Sequence, residues 1–102
     1  MKTFKDLKVG DPIYYFDIYD FNSFRKLIIS GIINKEFFTT FNTETNSGGF
    51  NEVWLPASSR NSRSDREYQL YVDPKAILED IKKFTSDNVS IFDDSLIFNS
   101  PI

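Results

Sequence analysis

The chain has 102 residues, a net charge of −3 from 12 basic and 15 acidic side chains, and neither cysteine nor histidine. That length suits one domain with a single core, since such a chain buries about two thirds of its unfolded surface. The missing residue types exclude disulfides, Cys/His zinc sites, thiol nucleophiles and imidazole acid/base chemistry, and the negative balance argues against binding by broad phosphate neutralisation.

Aromatic residues make up 17% of the chain, with eleven Phe, five Tyr and one Trp. Each buries about 150–250 Å² when packed, so a small barrel or sandwich filled by Phe accounts for the excess. The opening MKTFKDLKVGD lacks the apolar run of a signal peptide, and no segment reaches the roughly 18 apolar residues of a membrane span. A soluble, cytoplasmic protein is expected.

In chain order, Gly10, Asp11 and Pro12 make a turn into a first strand over Ile13–Tyr19, whose apolar run predicts burial on both faces or one exposed aromatic face. A turn at Tyr19–Ser23 returns the chain antiparallel. Leu27–Ile33 and Glu36–Asn42 then form the central hairpin around a joint at Asn34 and Lys35, with Gly31 marking a bulge or sharp bend. The polar run ending in Ser47, Gly48 and Gly49 is a turn into a fourth strand, Phe50–Leu55, closed by Pro56. Residues 57–66, ASSRNSRSDR, lack a large apolar side chain and read as a mobile surface loop. Glu67–Val72 alternates as a half-buried fifth strand.

At Asp73 the period changes. Asp73 is a good N-cap and Pro74 fits the first helical position, so a helix is expected over Pro74–Thr85. Ile77, Leu78, Ile81 and Phe84 form its apolar face, and Glu79, Lys82 and Lys83 are placed to pair along it. The remainder, VSIFDDSLIFNSPI, is too apolar to stay solvated and should pack on its own domain or on a neighbour. The organisation is therefore a domain over residues 1–86 and an apolar tail over 87–102.

Lys8-Val9-Gly10-Asp11-Pro12-Ile13-Tyr14 at the start, and Tyr71-Val72-Asp73-Pro74-Lys75-Ala76 at the strand-to-helix junction, resemble small SH3-like barrel proteins of bacterial or phage origin. The likeness covers about residues 4–85. It implies a mainly β fold, a small five-stranded barrel with a C-terminal helix and an apolar tail. SH3-like barrels serve as peptide, nucleic-acid and assembly modules, so the fold alone selects no function.

Three groups of residues are candidate sites. Arg60, Arg63 and Arg66 present guanidinium groups at a spacing of three in the Ser-rich loop, suited to bidentate phosphate contacts, although Asp65 and Glu67 dilute the patch. Tyr14, Tyr15, Tyr19, Phe21 and Trp54 have the ring types that line peptide grooves or stack on bases, but strand alternation lets only part of the set be exposed together. Asp11, Asp17 and Asp20 are acid/base or hard-metal candidates that turn chemistry explains equally well, as it does Asp93-Asp94. Asn88-Val89-Ser90 matches a glycosylation pattern without a secretion signal. With no phosphate loop, activated nucleophile or metal-ligand spacing, catalysis, a metal and a cofactor are not expected. The expected role is a non-catalytic binding or assembly module contacting a protein partner or its own copies. The alternatives are a nucleic-acid-binding barrel using Arg60, Arg63 and Arg66, and an oligomer that sequesters a small nucleotide.

Overall fold

The structure is a computed structural model and describes residues 1–44 and 51–87. The expected turn at Ser47–Gly49, Phe50, the glycosylation-like triplet, Asp93-Asp94 and the apolar tail from Asn88 onward lie outside the described residues.

Among the described residues, six antiparallel strands form one curled half-barrel sheet followed by one α-helix. The strands are β1 (Pro12–Asp17), β2 (Asp20–Asn34), β3 (Phe38–Thr43), β4 (Glu52–Pro56), β5 (Ser64–Asp65) and β6 (Leu70–Tyr71), and the helix is α1 (Pro74–Asp87). The strand order is β4-β3-β2-β1-β6-β5. Short 3-10 turns at Phe4–Asp6 and Ala57–Ser59 complete the described elements.

The central hairpin forms as the Ile, Phe and Thr content predicts. β2 and β3 pair from Ile29↔Thr43 to Asn34↔Thr39, and the register slips between Ile29 and Gly31. A Cβ at Gly31 would lie 3.1 Å from Asn42 Nδ2, so the bulge brings these strands together where a side chain would press on its neighbour.

β1 lies between β2 and β6 and is buried on both faces at Ile13, Tyr14 and Phe16. It ends two residues earlier than the apolar run suggests. The Asp17 carboxylate accepts the Tyr19 amide (2.9 Å), Asp20 accepts the Asn22 amide (3.1 Å), and the reversal occurs at Ile18–Tyr19. These acceptors reverse the chain before the expected turn residues Phe21–Ser23, which become part of β2.

The expected fifth strand, Glu67–Val72, is instead divided. Gln69 has φ 61°, a left-handed conformation incompatible with an extended run, and the Tyr68 amide donates to Asp65 Oδ1 at 3.0 Å. The result is a tight hairpin of β5 and β6, with Leu70, Tyr71 and Val72 all buried.

α1 begins at the predicted cap, where the Ala76 amide donates to Asp73 Oδ1 at 2.8 Å. Ile77, Ile81 and Phe84 face the core, but Leu78 is 46% exposed, because Ala76 takes the neighbouring buried position on the stripe. Glu79 pairs with Arg63 across to the sheet (2.8 Å). The single core joins Phe4 and Leu7 of the N-terminal turn, the inner faces of β1–β4, β6 and α1.

Asp73 also accepts two bonds from Arg63 Nη2, each 3.1 Å. Burial works against its charge, but the Ala76 amide and the Arg63 guanidinium outweigh that, and its carboxyl is held below the ordinary value. Its folded pKa thus lies below its unfolded one, so its stabilisation is complete above the usual carboxylate range and is lost as pH falls through the folded value. Asp73→Ala should cost about 1 kcal/mol in denaturant unfolding. Asp73→Asn keeps the cap, should cost less, and should flatten the loss of stability between about pH 5 and about pH 3. A pH profile identical to that of the unsubstituted chain would remove Asp73 from this role.

Candidate binding surface

The segment from Ala57 to Asp65 carries structure along its length, in contrast to the mobile loop expected from its serines. Arg60 and Ser62 close short turns by donating their amides to Ala57 and Ser59, while their carbonyls accept the amides of Lys5 (2.9 Å) and Phe4 (3.0 Å). Small polar residues suit a chain whose backbone groups bond to another segment at close range.

The three arginines meet different parts of the fold. Arg60 reaches the β2–β3 hairpin, where Nε donates to Thr39 Oγ1 (2.7 Å) and Nη2 donates to the carbonyls of Phe38 (3.0 Å) and Lys35. Arg63 binds Asp73 and Glu79 at the start of α1, and its buried Nε has no hydrogen-bond partner among the described residues. Arg66 forms two bonds with Asp80 (2.7 and 3.1 Å), and its guanidinium carbon lies 5.4 Å from the Phe84 ring centroid. The paired carboxylates hold both Arg63 and Arg66 in the charged form more firmly than usual. Tyr71 donates its hydroxyl to the same Asp80 (2.7 Å), and its pKa is pushed up by burial first and by that bond second. Arg60 and Arg63 hold the β2–β3 hairpin and α1 to the segment between β4 and β5, and Arg66 and Tyr71 hold α1 to the β5–β6 hairpin.

The five aromatic candidates are dispersed. Tyr14 is buried in β1 with its ring 5.8 Å from Phe24, Tyr15 is half-buried against the core, and Phe21 packs 5.5 Å from Phe16. Tyr19 is 79% exposed at the β1–β2 turn and meets Phe84 edge-on at 5.4 Å. Trp54 stands on β4, at one end of the strand order, away from β1. Asp11 accepts the Lys8 amide (3.0 Å) and Lys2 Nζ (3.2 Å), which hold its carboxyl below the ordinary value, with the Lys8 bond the larger cause. Asp11, Asp17 and Asp20 thus act as turn acceptors.

Trp54 has a different set of aromatic companions. Its ring lies 5.9 Å from Phe38, which lies 6.1 Å from Tyr68, and Phe37, the chain neighbour of Phe38, is 73% exposed. The pairing Ile33↔Thr40 and Thr40↔Trp54 puts those three residues in one row on the outer face of the sheet, with Trp54 52% and Ile33 47% exposed. Tyr68 joins from the β5–β6 turn, so the cluster brings that turn against β3 and β4. The Glu-Phe-Phe run at the hairpin joint was the available signal for Phe37 and Phe38. Two consecutive rings beside a turn cannot both enter one core, since successive strand residues face opposite ways.

β4 is an edge strand. The bonds Thr43 N–H to Asn51 C=O and Ala57 N–H to Phe37 C=O set the alternation, so Asn51, Val53, Leu55 and Ala57 face β3. Glu52 and Trp54 therefore turn their N–H and C=O groups to the side where no strand pairs among the described residues, and Pro56 blunts the far end by lacking an N–H. The Trp54 indole N–H donates to Glu52 Oε1 at 3.1 Å, which steadies the ring over this edge.

Among the described residues no group of three or more acidic side chains is placed to hold a metal ion, and no helix is long and apolar enough to cross a membrane. Comparison with protein-family models, curated proteins and solved structures finds no match.

Asp80 receives Arg66 and Tyr71 together, with its side chain 11% exposed. Asp80→Ala should destabilise the fold by about 2–4 kcal/mol, because it leaves a part-buried cation and a buried hydroxyl without their acceptor. Tyr71→Phe should cost about 1 kcal/mol. Denaturant midpoints within error of the unsubstituted chain for both variants would refute this account of how α1 is held.

Proposed function

We propose that the chain is a non-catalytic binding module of the SH3-like kind that holds an extended segment of a protein partner, a second copy of itself included. The observation that carries this reading is the aromatic cluster of Trp54, Phe38 and Tyr68, with Trp54 half exposed, beside an edge of β4 that pairs with no other strand among the described residues. An extended segment laid along Glu52–Pro56 would meet main-chain donors and acceptors from Glu52 and Trp54. The rings beside them supply the rigid apolar anchors that dominate protein interfaces, and exposed aromatic clusters of this sort mark interaction sites on small proteins. Nucleic acid is the weaker reading, since Arg63 and Arg66 already face carboxylates and Arg60 is engaged with the hairpin.

Trp54 is the sole tryptophan, so its fluorescence reports on this surface directly. Covering the surface should shift its emission to shorter wavelength, either as protein concentration rises in sedimentation-matched samples or as a partner is added. Trp54→Ala should weaken that association by about tenfold or more while changing folding stability by less than about 1 kcal/mol. Undiminished association of the Trp54→Ala protein would refute the proposal.

A further inference from the structure

Beneath the same strands, on the opposite face from the aromatic row, lies a cavity of about 410 Å³. Its volume falls in the range of small-molecule sites, about 300–1,000 Å³. Two cross-strand rows build its floor, Ile32↔Phe41 and the row of Asn34↔Thr39 and Thr39↔Leu55. Phe4, Lys5 and Leu7 of the N-terminal turn form the opposite wall, tied in place by the Phe4 and Lys5 amides on the carbonyls of Ser62 and Arg60. The lining is polar and apolar in nearly equal parts.

The polar lining is of one kind. Thr39 is 2% exposed and uses its hydroxyl both ways, accepting from Arg60 Nε (2.7 Å) and donating to Asn34 Oδ1 (2.7 Å). That chain of bonds uses one acceptor site on each oxygen and leaves the Asn34 N–H₂ free to donate. Arg60 has hydroxyl and carbonyl acceptors but no carboxylate, and its Nη1 has no hydrogen bond among the described residues. The Lys5 ammonium is likewise in no ion pair among those residues, and its acidic neighbour Asp6 is engaged with the Thr3 amide and hydroxyl. Two cations with no carboxylate within ion-pair distance among the described residues, and an amide donor, thus line a hollow of mixed character in a protein whose overall charge is −3.

We propose that this cavity binds a small organic anion, a carboxylate or phosphate head carried on an apolar body. The head meets Lys5, Arg60 and Asn34, and the body lies against Ile32 and the aliphatic stems of Lys5 and Arg60. Charge-assisted hydrogen bonds from fixed donors favour an anion over its neutral analogue, and the apolar walls favour an organic anion over an inorganic one. The site is independent of the aromatic row, because adjacent residues on a strand face opposite sides of the sheet.

The test is an amide-resolved NMR titration of the full chain with octanoate, octyl phosphate and octanol. Octanoate or octyl phosphate should shift the amides of Phe4–Leu7, Ile32–Asn34 and Thr39–Phe41, and the tighter of the two identifies the head group. Octanol should bind about tenfold more weakly or less. Lys5→Gln, which breaks no ion pair among the described residues, should weaken the better anion about three- to tenfold with an unchanged circular dichroism spectrum. Equal affinity for octanol, shifts confined to Phe38, Trp54 and Tyr68, or no shifts with any probe would each overturn the assignment.

Discussion

A sheet whose two terminal strands do not pair leaves a gap, and the rest of this protein is arranged around that constraint. β4 and β5 lie at opposite ends of the strand order, joined in sequence by Ala57–Arg63. A flat two-sided sheet of this size would expose its inner apolar face, so the curl must be held by something other than a closing ladder. The connecting segment does this with charged side chains. Arg60 fastens it to the β2–β3 hairpin, and Arg63 and the adjoining Arg66 fasten it to α1, while backbone bonds from Phe4 and Lys5 bring the N-terminal turn across the opening.

This arrangement explains why the arginines matter structurally despite their place in a polar, serine-rich stretch. A guanidinium has donors in a fixed planar fork and can bind carbonyls, hydroxyls and carboxylates at once. Arg60 uses that geometry on Thr39, Phe38 and Lys35, and Arg66 uses it on Asp80 while covering Phe84. Ordinary surface pairs contribute little. Asp80 differs because it is largely buried and shared with Tyr71, so its loss strands two partners.

The closure also separates two surfaces. On the outside, the open β4 edge carries Trp54 with Phe38 and Tyr68; on the inside, the same strands floor a donor-lined cavity roofed by Phe4–Leu7. Strand alternation makes the division sharp: Thr40 and Trp54 belong to one face, Thr39 and Leu55 to the other.

Local signals in the sequence determined the elements that depend on neighbours in the chain. The Ile, Phe and Thr run from Leu27 to Phe41 specified a hairpin, Gly31 its bulge, and Asp73-Pro74 the start of α1, because pleat, missing side chain and cap each act over a few residues. Where the local contest was close, tertiary contacts decided it. Asp17 and Asp65 captured nearby amides and shortened two expected strands, and Gln69 took a left-handed conformation to complete the β5–β6 turn. Which aromatics are exposed, and whether an arginine meets solvent or Asp80, depended on contacts between residues distant in sequence. Trp54 with Tyr68, and Arg60 with Thr39, are brought together only by the curl of the sheet, and no spacing along the chain encodes that curvature.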